Sequence, residues 1–296
     1  MLGGLRRLVP PLALASLAAI LFGIKLLVIG NYGNATPYWD QWNGEANHLY
    51  APFLEGRLEW SHMLAAHNEH RSLTSLLLAL GLLSANGVWN PLLQMVVNAG
   101  LHVGFVCLLV NLFTQVAGTR FLPAALAFCL VLFGLPYGNE NMLWGFQSCF
   151  YFLLLFGVGA MWLVVTAEPF SVRWWAGAFL AVCGFFSLAS GVFIPAALAG
   201  VGAAQYLTGT RTSGRHVASV IVLGGLFVLG VMLTPNIAAH ASLKAASLSK
   251  LLYACDLPPL MEPVSINRFA LPMARDRKST RLNSSHEWIS RMPSSA

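Results

Sequence analysis

The first hydrophobic run of the chain reads VPPLALASLAAILFGIKLLVI (residues 9–29). A run of about 20 apolar residues is long enough to cross a bilayer as a helix. It is longer than the apolar region of a secretory signal peptide, and no small-x-small cleavage site follows it. Because Arg6 and Arg7 precede the run, we predict a retained first helix with its N-terminus in the cytoplasm.

The composition extends this prediction to the whole chain. Hydrophobic residues make up 57% of the 296 residues and charged residues 9%, with a mean hydropathy of +0.66. A soluble domain carries about 25% charged residues, so we predict an all-α polytopic membrane protein whose surroundings are the lipid bilayer. The net charge of +6 comes from scattered Lys and Arg, and no basic stripe interleaved with aromatics indicates nucleic-acid binding.

Further hydrophobic runs predict six more spans, at residues 92–114, 121–136, 146–166, 174–190, 192–207 and 217–233. The run at 72–85 is short for a crossing, and we interpret it as a juxtamembrane helix. The positive-inside rule supports this choice. If the run at 72–85 does not cross, the loop at 31–71 lies outside and four arginines lie in the cytoplasm. If the run does cross, those arginines move outside. The four are Arg120, Arg173, Arg211 and Arg215. The pattern predicts seven spans plus the juxtamembrane helix.

The loop at 31–71 concentrates the polar chemistry of the chain. Asp40 follows Trp39 and precedes Trp42. A carboxylate beside apolar rings at a membrane interface suits a general base, and the two tryptophans are candidates for substrate contact. The alternative is a solvated aspartate among ordinary interfacial aromatics. The loop holds five of the eleven acidic residues and four of the eight histidines, namely Asp40, Glu45, Glu55, Glu59, Glu69, His48, His62, His67 and His70.

The loop ends in the sequence HNEHR, which leads into the juxtamembrane helix (residues 67–71). On a helix, His67, His70 and Arg71 share one face because they are three and four residues apart. Arg71 suits a lipid phosphate, with a simple headgroup anchor as the equal alternative. We add His67, Glu69 and His70 as substrate-binding candidates.

A metal site in this loop is a weaker interpretation. The order H-x-E-H differs from the H-E-x-x-H pattern of zinc proteases. A divalent cation held by Asp40 with Glu69 or His67 stays open, because carboxylate-rich sites suit such ions. The identity of any metal is left unknown.

Polar residues outside this loop receive simpler interpretations. Glu140, in the loop at 137–147, falls on the same outer face as Asp40 and is a second catalytic candidate, with a plain helix-end residue as its alternative. Lys25 is expected to snorkel to the interface. Gln94 and Asn98 are expected to make interhelical hydrogen bonds.

These features together resemble the GT-C superfamily of integral membrane glycosyltransferases, and most closely its bacterial members. The resemblance covers roughly residues 9–233 and implies a polyprenyl-phosphate-linked sugar as partner, at the outer face of the inner membrane. It implies that Asp40 is the base, that Arg71 contacts the lipid phosphate, and that Glu140 matches a later acidic residue. The rival predictions are a transporter or lipid flippase, and a non-catalytic membrane protein.

The C-terminal residues 276–296 have a different composition and look like a translated sequencing adapter. They are rich in Ser and Arg after an apolar chain. We therefore expect a truncated transmembrane domain at 1–275 and no domain beyond it.

Overall fold

The computed structural model describes residues 11–237, all of which belong to one compact unit, Met1–Ile237. The predictions made for Arg6 and Arg7 and for the tail at 276–296 lie outside these residues. No strand occurs within residues 11–237. The all-α prediction is therefore confirmed for the described part of the chain.

Eight helices form the scaffold, numbered here in chain order. They are α1 (Pro11–Tyr32), α2 (Leu73–Asn86), α3 (Pro91–Ala117), α4 (Leu122–Gly134), α5 (Ser148–Thr166), α6 (Val172–Phe185), α7 (Phe193–Leu207) and α8 (Gly214–Leu233). Four shorter helical segments complete the loops between α1 and α2 and between α4 and α5. They are a π-helix at Gln41–Tyr50 and α-helical turns at Ala51–Leu54, Trp60–Met63 and Asn139–Met142. Short 3₁₀ segments are Thr119–Phe121, Pro136–Gly138, Gly145–Gln147 and Ala189–Val192.

Six helical segments in the described part are long and apolar enough to cross a membrane. They coincide with six of the seven predicted spans, and their number makes this a multi-pass membrane protein. They are Pro11–Tyr32, Pro91–Ala117, Thr119–Met142, Gly145–Thr166, Ala189–Leu207 and Gly214–Leu233.

The two remaining helices, α2 and α6, have 14 residues each. A helix of that length is about 21 Å long, against roughly 30 Å of hydrocarbon in a bilayer. For α2 the length agrees with the predicted juxtamembrane helix. For α6 it falls short of the predicted span at 174–190, because the backbone leaves the helix after Phe185 and turns through the 3₁₀ segment before α7.

Two of the four hydrophobic clusters in the described part join most of the helices. One joins α1, α3 and α4 around Leu21, Val106 and Cys129, and the other joins α5 to α8 around Trp174 and Leu198. A Cβ added at Gly177 would lie 2.7 Å from Val164 Cγ2, so a glycine is what lets α5 and α6 approach this closely. Small residues that bring helices together in this way are typical of membrane proteins.

Hydrogen bonds between loops define two ends of the helix bundle. The turn after α6 contacts the start of α2, where Thr74 N donates to Phe186 O at 3.3 Å and Thr74 Oγ1 donates to Ser187 Oγ at 2.8 Å. We call this the site end, comprising residues 31–72, 136–147 and 186–192.

The opposite end is marked by arginines that donate to backbone carbonyls. Arg211 Nη1 reaches Ala167 O at 2.7 Å, and Arg215 Nη2 reaches Pro169 O at 3.2 Å, which joins the turn before α8 to the turn after α5. We call this the arginine end. Because α6 begins beside Pro169 and ends beside Thr74, it runs from one end to the other.

Lys25 does not behave as predicted. Lys25 is only 1% exposed and is enclosed by the helices around α1. A snorkelling lysine reaches along the protein surface to the headgroups, so the snorkelling prediction is wrong.

Candidate functional site

The two tryptophan-bearing loops meet at the site end. Trp39 stacks on Trp144 with ring centroids 6.0 Å apart and ring planes inclined by 13°. Tyr38 packs edge-on against Trp144 at 5.8 Å, and Trp144 Nε1 donates to Tyr38 O at 3.1 Å. The charge topology predicted both loops on one face, and the structure brings them into direct contact.

The turn that carries Asp40 has an unusual backbone. Trp39 has a φ of +48°, in the left-handed region that non-glycine residues rarely adopt. The turn is closed by Gln41 N donating to Tyr38 O at 3.1 Å and Trp42 N donating to Trp39 O at 3.0 Å. A strained residue held by its neighbours is a feature that clusters at functional sites, and this one directly precedes Asp40.

Asp40 faces His67 across the loop. Asp40 Oδ2 lies 3.7 Å from His67 Nε2, and the side chains are 31% and 14% exposed, respectively. His67 Nε2 is buried without a hydrogen-bond partner, so a small movement would let it bond the carboxylate. The His67 ring also packs edge-on against Phe146 at 5.4 Å. A carboxylate beside an imidazole is a pair suited to proton transfer.

An open cavity of about 440 Å³ is lined by Trp39, the residue before Asp40, while Asp40 and His67 themselves do not line it. Both loops line it, together with the turns of α1 and α3 at the site end. Glu140, exposed in the first turn of Asn139–Met142, therefore shares a cavity with the neighbour of Asp40. The principal lining residues are Tyr32, Tyr38, Trp39, Met95, Glu140 and Trp144.

Beneath the two loops lies a buried group of polar side chains that the sequence analysis did not identify as part of the site. Glu45 is 2% exposed, Gln41 0% and Gln94 4%. Gln41 Nε2 donates to Glu45 Oε2 at 3.1 Å and to Gln94 Oε1 at 2.8 Å, while Gln94 Nε2 donates to Glu45 Oε1 at 2.8 Å. Burial raises the pKa of Glu45 to about 7, and the hydrogen bonds from Gln41 and Gln94 partly oppose the shift.

One sequence signal points to this group. Gln41 and Glu45 are four residues apart, and in the π-helix Gln41–Tyr50 they fall on the same side. Gln94 and Asn98, one turn apart in an apolar span, face them. These two were expected to bond other helices, and instead they bond the loops, Asn98 Nδ2 donating to Gly145 O at 2.9 Å.

Two glycines allow the loops to approach. A Cβ at Gly145 would lie 2.6 Å from Gln94 Oε1 and 2.9 Å from Gln41 Nε2. A Cβ at Gly44 would lie 2.9 Å from Phe146 Cε2. Any side chain at Gly145 therefore has to displace the buried group.

The predicted helical face of His67, His70 and Arg71 is wrong. His67 and His70 instead form a tight turn, with His67 N donating to His70 O at 2.9 Å and His70 N donating to His67 O at 3.1 Å. Asn68 inside the turn has a φ of +51°, and α2 begins only at Leu73. Asparagine tolerates this left-handed conformation well, which explains the turn.

The remaining candidates lie around this turn. Arg71 donates through Nη1 to Leu64 O within its own loop. His70 Nδ1 accepts from Ala189 N at 3.3 Å, and burial lowers the pKa of His70, with Glu69 opposing the shift. None of these residues lines the 440 Å³ cavity.

Trp42 does not line the cavity either. Its Nε1 donates to Pro37 O at 3.1 Å, and its ring packs edge-on against Trp89 at 5.6 Å. Trp42 therefore braces the loop against the start of α3, whereas Trp39 faces the cavity.

Residues 11–237 contain no group of three or more His, Cys, Asp or Glu side chains arranged to hold a metal ion. Asp40 and His67 supply two potential ligands. A hard divalent cation takes six or more oxygen ligands, so substrate or water would have to provide the others.

Comparisons with protein-family models, with curated proteins and with solved structures find no match for this chain.

Proposed function

We propose that this protein is a GT-C-type glycosyltransferase that moves a sugar from a polyprenyl-phosphate donor to an acceptor hydroxyl at the outer membrane face. One observation carries the proposal. Asp40, paired with His67, directly follows Trp39 in the chain, and Trp39 lines a cavity whose wall also holds its stacking partner Trp144 and the carboxylate of Glu140.

The cavity has the chemistry of a sugar site. Aromatic ring faces carry partial negative charge, which suits the weakly positive C–H faces of a sugar ring. The carboxylate of Glu140 in the cavity wall can accept hydrogen bonds from sugar hydroxyls. Its volume of about 440 Å³ falls in the range of small-ligand pockets.

In the proposed reaction Asp40 takes the proton of the acceptor hydroxyl. At the same time, the oxygen of that hydroxyl forms a bond to the anomeric carbon of the donor. The bond between the anomeric carbon and the phosphate oxygen breaks, and the polyprenyl phosphate leaves with that electron pair. His67, 3.7 Å from Asp40, orients the carboxylate.

Arg71 is assigned to the departing phosphate. One of its N–H groups donates to Leu64 O. Because a guanidinium has five N–H donors, the other N–H groups can donate to phosphate oxygens. Positive charge near a developing phosphate charge stabilises the transition state.

The proposal includes a topology of seven spans with the N-terminus in the cytoplasm of a bacterial cell and the site end outside the inner membrane. The course of α6 from the arginine end to the site end supports the seventh crossing. In a cysteine-free background, Asn34→Cys should react with an impermeant maleimide added to intact spheroplasts, and Ser213→Cys should react only after lysis. Labelling of Ser213→Cys from outside would contradict the topology.

The transfer reaction is tested with Asp40→Asn in the full-length protein. Purified wild type should contain bound polyprenyl phosphate by mass spectrometry and should transfer sugar from polyprenyl-phosphate-linked glucose or mannose supplied as probes. Asp40→Asn should keep the lipid and lose transfer. Glu55→Gln is the matched control, because Glu55 is exposed in the same loop and pairs only with Arg57. Undiminished transfer by Asp40→Asn would refute the assignment.

One observation favours a transporter or flippase instead, namely the burial of Lys25 inside the helices. Ionisable residues enclosed within membrane helices mark transport pathways in many proteins. A flippase would stop moving a fluorescent polyprenyl phosphate across proteoliposomes on Lys25→Met and would be indifferent to Asp40→Asn. A transferase, in contrast, should lose sugar transfer on Asp40→Asn.

A further inference from the structure

A buried carboxylate that the proposed reaction does not use lies five residues after Asp40. Glu45 is 2% exposed, so a substrate in the cavity does not touch it. Burying a carboxyl group costs free energy unless hydrogen bonds compensate, and Glu45 is compensated by two amide side chains. The hydrogen bonds of Glu45 to neighbouring side chains indicate its role.

Glu45, Gln41 and Gln94 form a closed ring of hydrogen bonds. Each side chain bonds both of the others, at 2.8, 2.8 and 3.1 Å. We call these three residues the amide–carboxylate ring. Tyr50 borders it, because Gln94 Nε2 also lies 3.3 Å from Tyr50 OH. A fully satisfied buried network of this kind rigidifies the elements it joins.

The ring is tied to the turn that carries Asp40. Gln41 Oε1 accepts from Tyr38 N at 3.0 Å, and Tyr38 O in turn accepts from Trp144 Nε1 at 3.1 Å. Three successive hydrogen bonds thus connect Glu45 to Trp144. Since Tyr38 and Gln41 bracket Trp39 and Asp40, holding them fixes the strained backbone between them.

The ring is also packed against the second loop. Gly145 lies directly on it, since an added Cβ would come within 3.0 Å of both amide side chains. Asn98 lies one turn along α3 from Gln94, and its Nδ2 donates to Gly145 O at 2.9 Å. Both loops are therefore fastened to α3 at one point.

We propose that Glu45 is a positioning residue, which through Gln41 and Gln94 holds the Tyr38–Asp40 turn against the Trp144 loop and so places Asp40 relative to His67 and the cavity. The effect on catalysis rests on the proposed function. The effect on the two loops does not, and it is measured separately.

The structural effect is tested by amide hydrogen exchange on the full-length protein in detergent. Glu45→Ala should speed exchange in segments 38–50 and 143–147 by about tenfold or more, because opening the ring lowers local stability. Helix α8, which does not contact the ring, should be unchanged. Glu55→Gln should leave both segments as in wild type. Unchanged exchange in Glu45→Ala would overturn the proposal.

A milder set of variants excludes simple misfolding. Glu45→Gln replaces a carboxylate, which accepts from the amide N–H groups of Gln41 and Gln94, by a third amide with only one acceptor oxygen. Adding Gln94→Glu returns one carboxylate to the ring from the opposite side. The double variant should recover the protection that Glu45→Gln loses. A double variant that exchanges as fast as both single variants would show that the ring is not the cause.

Transfer kinetics supply the functional readout. Glu45→Gln should lower kcat by about tenfold to a hundredfold, the scale of a misplaced catalytic group. The donor KM should stay within about threefold, because Glu45 touches no substrate. The double variant should recover kcat. Full kcat in Glu45→Ala would refute the catalytic part of the proposal. If wild type transfers no sugar, the proposed function fails, while the exchange results still decide the role of Glu45.

Discussion

The two ends of the helix bundle use polar residues in different ways. At the arginine end, Arg211 and Arg215 donate to the backbone carbonyls of residues 167 and 169, just beyond the C-terminus of α5. Ala167 is the C-cap of α5, where basic side chains commonly bond the last carbonyls, and Pro169 lies in the turn that follows. At the site end, side chains bond one another, and a carboxylate is carried into the interior.

This difference separates ordinary helix capping from the construction of a site. Capping satisfies backbone groups that exist in every helix. The amide–carboxylate ring satisfies no helix end. It joins α3 to two loops, and those loops hold Asp40, His67 and Glu140. Changes at the site end should therefore alter both stability and activity, and changes at the arginine end should alter stability alone.

The largest effect is expected from Gly145→Ala. The new Cβ would lie 2.6 Å from Gln94 Oε1, and overpacking of this kind costs about 1–3 kcal/mol. Transfer should fall by about a hundredfold because the Asp40 turn is displaced. The thermal midpoint in detergent and the transfer rate report the two effects. Gly138→Ala is the control, since nothing lies within 4 Å of its added Cβ, and a Gly145→Ala protein as stable as that control would contradict the close approach.

A smaller effect is expected from Trp144→Ala. The change removes the stacking on Trp39 and the hydrogen bond to Tyr38 O. Together these are worth about 1–2 kcal/mol, and the donor KM should rise about tenfold. Trp175→Ala serves as the control, because Trp175 is an exposed tryptophan that packs on Trp174 and Phe170 near the arginine end. An equal rise in KM for both variants would remove the distinction between the ends.

The pH dependence of stability distinguishes Glu45 from the exposed carboxylates. Its pKa is raised by burial to about 7, so between about pH 4.3 and that value the folded protein holds a proton that the unfolded chain has released. The contribution of Glu45 to stability is therefore greatest at low pH and is lost as the pH rises through about 7. Glu45→Gln should remove this loss.

The measurement is the thermal midpoint in detergent from pH 5 to pH 8. The difference between wild type and Glu45→Gln isolates Glu45 from His70, whose lowered pKa acts in the opposite direction. Parallel curves for the two proteins would show that Glu45 does not titrate in this range.

The smallest effect is expected from Arg215→Ala at the arginine end. It removes one part-buried hydrogen bond to Pro169 O, worth about 1 kcal/mol. The thermal midpoint should fall slightly, and the transfer rate of the folded protein should match wild type. A marked loss of transfer would mean that this end also takes part in the reaction.

The helices could be predicted from the sequence because membrane spans have a strong compositional signal. The end of α6 could not. Residues 186–190 are as apolar as a helix continuation, but a Cβ at Gly191 would lie 2.1 Å from Gly184 O. The chain turns back on itself at these two glycines, and hydropathy carries no information about that contact.

The candidate site was predictable as a region and not as an arrangement. The concentration of acids and histidines identified the loop, and Asp40 beside Trp39 was visible from their adjacency. The pairing of Asp40 with His67 depends on a π-helix and on a left-handed Asn68, neither of which has a reliable sequence pattern. The sequence does not single out Glu45 because a polar loop predicts exposure, whereas this carboxylate is buried and bonded by Gln41 and Gln94.

The turn between α6 and α7 is joined by two hydrogen bonds to Thr74 at the start of α2 and by one to His70 in the tight turn before α2. His70 closes the tight turn that also presents His67 to Asp40. A rigid-body shift of α6 and α7 must therefore either break all three bonds or drag His67 with it. The Asp40–His67 pair is thus connected through hydrogen bonds to helices that line no part of the cavity.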